Sequence, residues 1–243
     1  MASLAIIRSQ IESRLPGVLS PYVPPEPEML LTGIHALDHK TGGIPKSGLT
    51  QICAPSGVPS GRTTLLLSLM QEVTKREEFC ALVDASDCLH PASAEAAGVD
   101  MSRLLWVRCG GATGMRSLEQ AFKAADIIVQ NGGFGLIAVD LGNIQERLTR
   151  RIPLSTWFRF ARVVEKMPTA LVFLLGHPGA QSCSALTLHL AGGKAYWQCS
   201  QEVSHAHFLS GIEYGIEIGR AHMRKPVQSA RFNARFTAKA VGV

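Results

Sequence analysis

Short, unbroken apolar runs alternate along this chain with segments of helical periodicity, and that alternation constrains the fold more than any other feature. The runs are Leu49–Cys53, Cys80–Val83, Leu105–Val107, Leu136–Val139 and Leu171–Leu175. After the first, Leu65, Leu66, Leu67, Leu69 and Met70 continue a helix that starts near Arg62, and Leu118–Val129 and Leu154–Lys166 are helical in the same way. Continuous apolar runs suit strands buried on both faces, and helical crossovers make such strands parallel. The expectation is an α/β domain with a mostly parallel central sheet flanked by helices. Beyond His177 the helices fade. There Leu186–Leu190, Lys194–Gln198, Tyr214–Ile218 and Ala230–Phe236 read as strands of an antiparallel extension.

The loop after the first run carries the chemistry: Cys53-Ala-Pro-Ser-Gly-Val-Pro-Ser-Gly-Arg-Thr-Thr64. A strand, a glycine-bearing loop and a helix N-terminus together make an anion site, because backbone N–H groups point inward and the helix dipole favours negative charge. Gly61-Arg62-Thr63 stands where a P-loop ends in Gly-Lys-[Ser/Thr]. The match departs from the pattern: Ser56 falls where the first glycine belongs, Gly57 is one residue too close, and Pro59 removes a backbone donor. Arg62 is a planar fork in place of a compact point charge. Ser56, Gly57, Ser60, Gly61, Arg62, Thr63 and Thr64 are the candidate nucleotide-binding residues. Thr63 is a Mg²⁺ ligand candidate together with Asp140, the carboxylate that ends Leu136-Ile-Ala-Val-Asp140. ATP and Mg²⁺ are the cofactors this arrangement would take, and binding without turnover is compatible with it.

Other features bound the chain. It contains no 18-residue apolar span, and charged residues stand where a leader would need an apolar stretch, so a cytoplasmic location without membrane contact is expected. The six cysteines form no C-x-x-C pair and lie mostly in or beside apolar runs, which favours buried free thiols over a metal site or disulfides. Leu4, Ile7, Ile11 and Leu15 recur at helical spacing until Pro16-Gly17, and a proline-rich connector follows. The division expected is a helix and connector over 1–28 and one domain over 29–243. No acidic residue follows Glu217, whereas Arg220, Arg224 and Lys225 do, which makes a basic segment from about residue 219.

Taken together these residues resemble the RecA family. The similarity starts at Leu31-Thr-Gly-Ile-His-Ala-Leu-Asp38 and Gly42-Gly-Ile-Pro-Lys-Ser-Gly48. It continues through Cys80-Ala-Leu-Val-Asp-Ala85, Pro91 and Gly98-Val-Asp-Met-Ser-Arg-Leu-Leu105 to Asp140 and Leu171–Leu175, and so covers roughly residues 30 to 178. The resemblance implies a RecA-like P-loop core. It also implies that the glutamate activating the attacking water in RecA proteins is Ser86 here, with Asp87 beside it as the one candidate substitute base. The adenine-holding positions fall near His90 and Ser93. The Asn-Gln pair that senses the γ-phosphate becomes Gly176-His177, which makes His177 a candidate sensor, although a plain loop histidine fits as well. Loss of a positioned base typically costs ~10²–10⁴ in rate, so hydrolysis is expected to be very slow or absent.

Gly-Arg-Thr at the phosphate loop and Val-Asp-Ala-Ser-Asp after the second strand resemble the ImuA type. That resemblance implies an accessory role in SOS-type, translesion DNA synthesis. The implied partners are an error-prone polymerase-like protein of the ImuB type and RecA, with self-association through the N-terminal helix. Two other readings stay open: an active DNA-dependent ATPase or recombinase, and a cell-division inhibitor. Arg147, Arg150, Arg151, Arg159, Arg220, Arg224 and Lys225 are candidate contacts for single-stranded DNA or a partner. Trp157 and Phe160 fit helical core packing better than a nucleic-acid face.

Overall fold

Four of the five apolar runs become strands covered on both faces, whereas Leu105–Val107 forms an edge strand whose Leu105 stays exposed, because no further strand or helix closes that side. The computed structural model describes residues 4–16, 28–55, 57, 59–110, 114–199, 207–221 and 231–237. In chain order these are α1 (Leu4–Arg14), β1 (Met29–Leu30), α2 (His35–Thr41), β2 (Ile44–Pro45), β3 (Gly48–Cys53), α3 (Arg62–Lys75), β4 (Cys80–Asp84) and α4 (Pro91–Ala96). They continue as β5 (Leu104–Arg108), α5 (Met115–Asn131), β6 (Leu136–Asp140), α6 (Glu146–Thr149), α7 (Leu154–Val164), β7 (Ala170–Leu175), β8 (Leu186–Cys199), β9 (His207–Ala221) and β10 (Arg231–Thr237).

The main sheet has eight strands in the order β10-β9-β8-β3-β7-β6-β4-β5. From β8 to β5 every neighbouring pair is parallel, while β8, β9 and β10 pair antiparallel, so the expected extension is present. The carboxyl ends of β3, β7, β6 and β4 lie side by side. The register sets Asp84 directly beside Asp140. In such sheets ligands bind outside these ends.

Two apolar clusters cover the two faces. On one, Leu65, Leu66, Leu69 and Val73 of α3 pack over Ile52, Leu82, Ala138 and Leu174. On the other, Leu118, Ala121 and Ala125 of α5, with Trp157, Phe160 and Val164 of α7, pack over Val83, Ile137 and Phe173. Trp157 meets Phe173 edge-on at 4.9 Å, an arrangement aromatic quadrupoles favour. At the far end of the sheet the ammonium of buried Lys46 sits 2.9 Å from Glu28 and 3.1 Å from Glu78.

The differences from the sequence pattern have local causes. Leu186–Leu190 and Lys194–Gln198 are one strand, β8, because the break at Gly192-Gly193 is an irregularity in its pairing with β9. A Cβ at Gly193 would lie 1.9 Å from the Glu213 carbonyl, so a glycine lets the strands pass. Helices α2 and α4 are too short for periodicity to reveal. α4 is started by His90, whose ring accepts the Ser93 amide. α1 forms as expected, yet none of its residues is buried.

Candidate functional site

At the end of β3 the chain turns through Ala54 to Gly61, and Gly61 (φ 76°) caps α3 in the left-handed region. Glycine is required there twice over, because a Cβ would also lie 2.6 Å from the Tyr214 ring of β9. Tyr214 is buried, and its phenol hydrogen-bonds the Thr64 side chain, which partly offsets the rise that burial causes in its pKa. Gly57 (φ 76°) faces open space, Ser60 is buried and Thr63 is exposed at the first turn of α3. Ser56 lies outside the described residues.

Arg62 bridges from the loop to the turn after β6. Its guanidinium donates to the Ala54 carbonyl at 3.4 Å and to Asn143 Oδ1 at 3.2 Å. It lies on Gly142, where a Cβ would come within 2.0 Å of Cζ. Its Nε is buried and has no hydrogen-bond partner among the described residues. Gly142 also donates its amide to Asp140 Oδ1 at 2.9 Å. Burial raises the Asp140 pKa and neighbouring Asp84 adds to that, while the Gly142 amide and the Arg62 charge pull it down. Asn143 in turn donates to Cys88 Sγ at 3.2 Å.

The exposed hydroxyl of Thr63 and the carboxylate of Asp140 fit a nucleotide-bound Mg²⁺, and the unpartnered Nε of Arg62 fits an anionic oxygen. The rest of the guanidinium does not leave the site open. Its contacts to Ala54 and Asn143 span the gap between the loop and the 140–143 turn, so a phosphate chain must displace them or approach from outside.

Neighbouring carboxylates are also committed. Asp84 is buried and accepts the Ser86 amide at 3.2 Å, the Leu89 amide at 2.9 Å and the Trp106 indole at 3.4 Å. Asp87, the candidate substitute base, is held by Arg108 through two bonds of 2.6 and 2.7 Å. That guanidinium lowers its pKa, the direction opposite to what a general base at neutral pH needs.

His177 hydrogen-bonds Thr149 through Nε2 at 3.0 Å and so ties the end of β7 to α6. With His189 and Glu217 it lines a cavity of about 290 Å³ beside the phosphate loop. Among the candidate arginines, Arg147 donates to Gln145, Arg150 pairs with Glu146, and Arg159 pairs with Asp126 at 3.3 Å. Arg151 is exposed. Arg220 lies in β9, opposite Thr187. Arg224 and Lys225 lie outside the described residues. Trp157 and Phe160 are core, as helical spacing implied, while Phe158 is exposed.

Gly142, Asn143 and Tyr214 are site residues that the motifs did not reveal. A glycine and an amide directly after the Asp140 strand were the available signal for two of them. Nothing local marks Tyr214, which arrives from a distant strand. The expectation of buried free thiols holds for three of the five described cysteines, with Cys183 half-buried. Cys53, Cys80 and Cys109 are buried, and burial pushes the first two thiols up to about 12, but Cys88 is exposed. It follows the end of β4 in a loop, where its thiol meets the Ser86 carbonyl and the Asn143 amide. Among the described residues no group of side chains could hold a metal by itself, and no helix is long and apolar enough to cross a membrane.

Residues 25–145 match the RecA N-terminal domain family. Protein RecA of Desulfotalea psychrophila is 30% identical over 162 residues, covering 60% of this chain and 43% of that protein. Protein RecA of Rickettsia massiliae is 37% identical over 115 residues, covering 46% of this chain and 31% of that protein. Protein RecA of Wigglesworthia glossinidia brevipalpis is 29% identical over 163 residues, covering 60% and 47%. The chain therefore spans less than half the length of these curated relatives.

Proposed function

On the premise that this chain is RecA-like, with residues 25–145 matching the RecA N-terminal domain family, we propose that it is an accessory protein of damage-tolerant DNA synthesis, of the ImuA type. In this reading it acts through protein partners and its nucleotide site is degenerate. The observation that carries the reading is Arg62: in the P-loop lysine position it is fastened to Ala54 and Asn143 and seated on Gly142. Ser86 at the glutamate position and the pairing of Asp87 with Arg108 support the same conclusion. We read residues 1–28 as a helix and connector, and 29–243 as one RecA-like unit. An error-prone polymerase-like protein of the ImuB type and RecA are the proposed partners. Arg147, Arg150, Arg151 and Arg159 are the proposed contacts to single-stranded DNA or to those proteins; of these, Arg150 and Arg159 would have to exchange the ion pairs they make within the chain.

The active-ATPase reading draws on Thr63 and Asp140, which match in sequence the Mg²⁺-associated positions of the P-loop pattern. The two readings separate in one experiment: equilibrium binding of a fluorescent ATP analogue with Mg²⁺, alongside ATP turnover with and without single-stranded DNA. Weak or absent turnover that DNA does not stimulate is expected. DNA-stimulated turnover abolished by Asp140→Ala would establish the motor instead.

A further inference from the structure

A groove of about 250 Å³ runs between α5 and the turn joining α6 to α7, far from the phosphate loop in sequence and on the opposite face of the sheet from α3. Its floor is Leu118, Phe122, Leu148 and Ile152. Leu118 is buried, and the other three are partly exposed while packing on the core beneath. The Phe122 ring is held between Phe173, Trp157 and Phe160 at 5.9 to 6.1 Å, so the floor is braced from below and preformed. Met115, 49% exposed, forms a lip.

The rim is basic. Lys123, Arg151 and Arg159 line it against the single acid Glu119. Arg159 is answered by Asp126, but Lys123 and Arg151 are exposed and have no ion pair among the described residues. An apolar floor under unanswered positive charge selects its occupant. The volume falls below the ~300–1,000 Å³ usual for small-molecule sites but suits an apolar anchor of a peptide. A single-stranded nucleic acid that stacked its bases here would want exposed aromatic faces, whereas this floor is largely aliphatic and its one ring is engaged from below, and an apolar floor offers nothing to a phosphate backbone.

We propose that this groove docks an acidic amphipathic helix of a partner protein, with an apolar side chain seated on the floor and carboxylates facing Lys123 and Arg151. The inference goes beyond the proposed function, because it stands whether or not the partner serves DNA synthesis and does not involve the nucleotide site. Charge-selective docking of this kind gives specificity more than raw affinity.

The test uses the full chain and an array of labelled, helical twelve-residue peptides. One face carries leucine, isoleucine, methionine or phenylalanine, and the other carries glutamate in one set and lysine in its twin. Members of the glutamate set are expected to bind at least about tenfold tighter than their twins. The double reversal Lys123→Glu with Arg151→Glu, at two exposed positions and checked for an unchanged unfolding midpoint, is expected to invert that preference, and Met115→Asp to weaken both sets. Equal binding of the two sets, no binding by any member, or indifference to the reversal overturns the proposal. So does displacement of the bound peptide by a single-stranded DNA oligonucleotide, which would make the groove a nucleic-acid surface. If sedimentation shows a dimer that the reversal dissociates, the occupant is a second copy and the proposal also falls.

Discussion

At the carboxyl ends of the central strands charge is answered from within, whereas on the α5–α7 face it is left facing outward. Arg62 reaches Ala54 and Asn143, Asp140 takes the Gly142 amide, Asp84 takes two amides and an indole, and Asp87 takes Arg108. Across the sheet Lys123, Arg151 and Arg162 have no ion pair among the described residues. A site that must accept and release a phosphate needs groups whose partners are supplied by the ligand. A surface that meets another protein needs charges not already neutralised. By that criterion the carboxyl ends of the strands are largely satisfied from within, and the α5–α7 face keeps the charges that a partner would have to answer.

Four outcomes would break or sharpen this contrast. The largest concerns the brace beneath the groove: Trp157→Ala removes a fully buried indole and should cost ~3–5 kcal/mol in chemical denaturation. A loss below ~1 kcal/mol would mean that the floor is not braced as described. Next, Gly142→Ala places a methyl where the Arg62 guanidinium lies. It should cost ~1–3 kcal/mol by overpacking and alter binding of the ATP analogue. Charge reversal at Lys123, by contrast, should stay within ~0.5 kcal/mol. Equal costs at these two positions would erase the difference between the regions.

The smallest effect is a pH dependence. The folded state raises the Asp140 pKa above its ordinary 3.8, so the native chain binds more protons than the unfolded one in that window. Stability from this group is complete below 3.8 and is lost as pH rises through the raised value. Asp140→Asn should flatten that part of the profile, as read by thermal unfolding across acidic pH. An unchanged slope would remove Asp140 as its cause.

The strands were legible because Leu136–Val139 and Leu171–Leu175 have no polar position to turn toward water, which only a doubly covered strand satisfies. Trp157 and Phe160 were legible as core because helical spacing puts them on one face. Helices α2 and α4 were not, since two turns or fewer show no period. The motifs located Arg62, Thr63 and Asp140 but said nothing of where the Arg62 guanidinium lies. Asp87 illustrates the same limit. Its position beside Ser86 made it a candidate base, yet its partner Arg108 comes from the neighbouring strand β5.

What the sequence determined by itself was the layered α/β architecture and a glycine-bearing loop, ending in Gly61-Arg62-Thr63, at the head of α3. These follow from local rules: burial period, backbone requirements of glycine and proline, and side-chain chemistry at fixed spacing. The tertiary structure alone decided that Gly142 makes room for Arg62, that Tyr214 covers Gly61, and that Leu118 and Phe122 meet Leu148 and Ile152 beneath Lys123 and Arg151. Each of those meetings joins residues far apart in the chain or on different elements. Their proximity is set by strand order and helix packing, which no local pattern encodes.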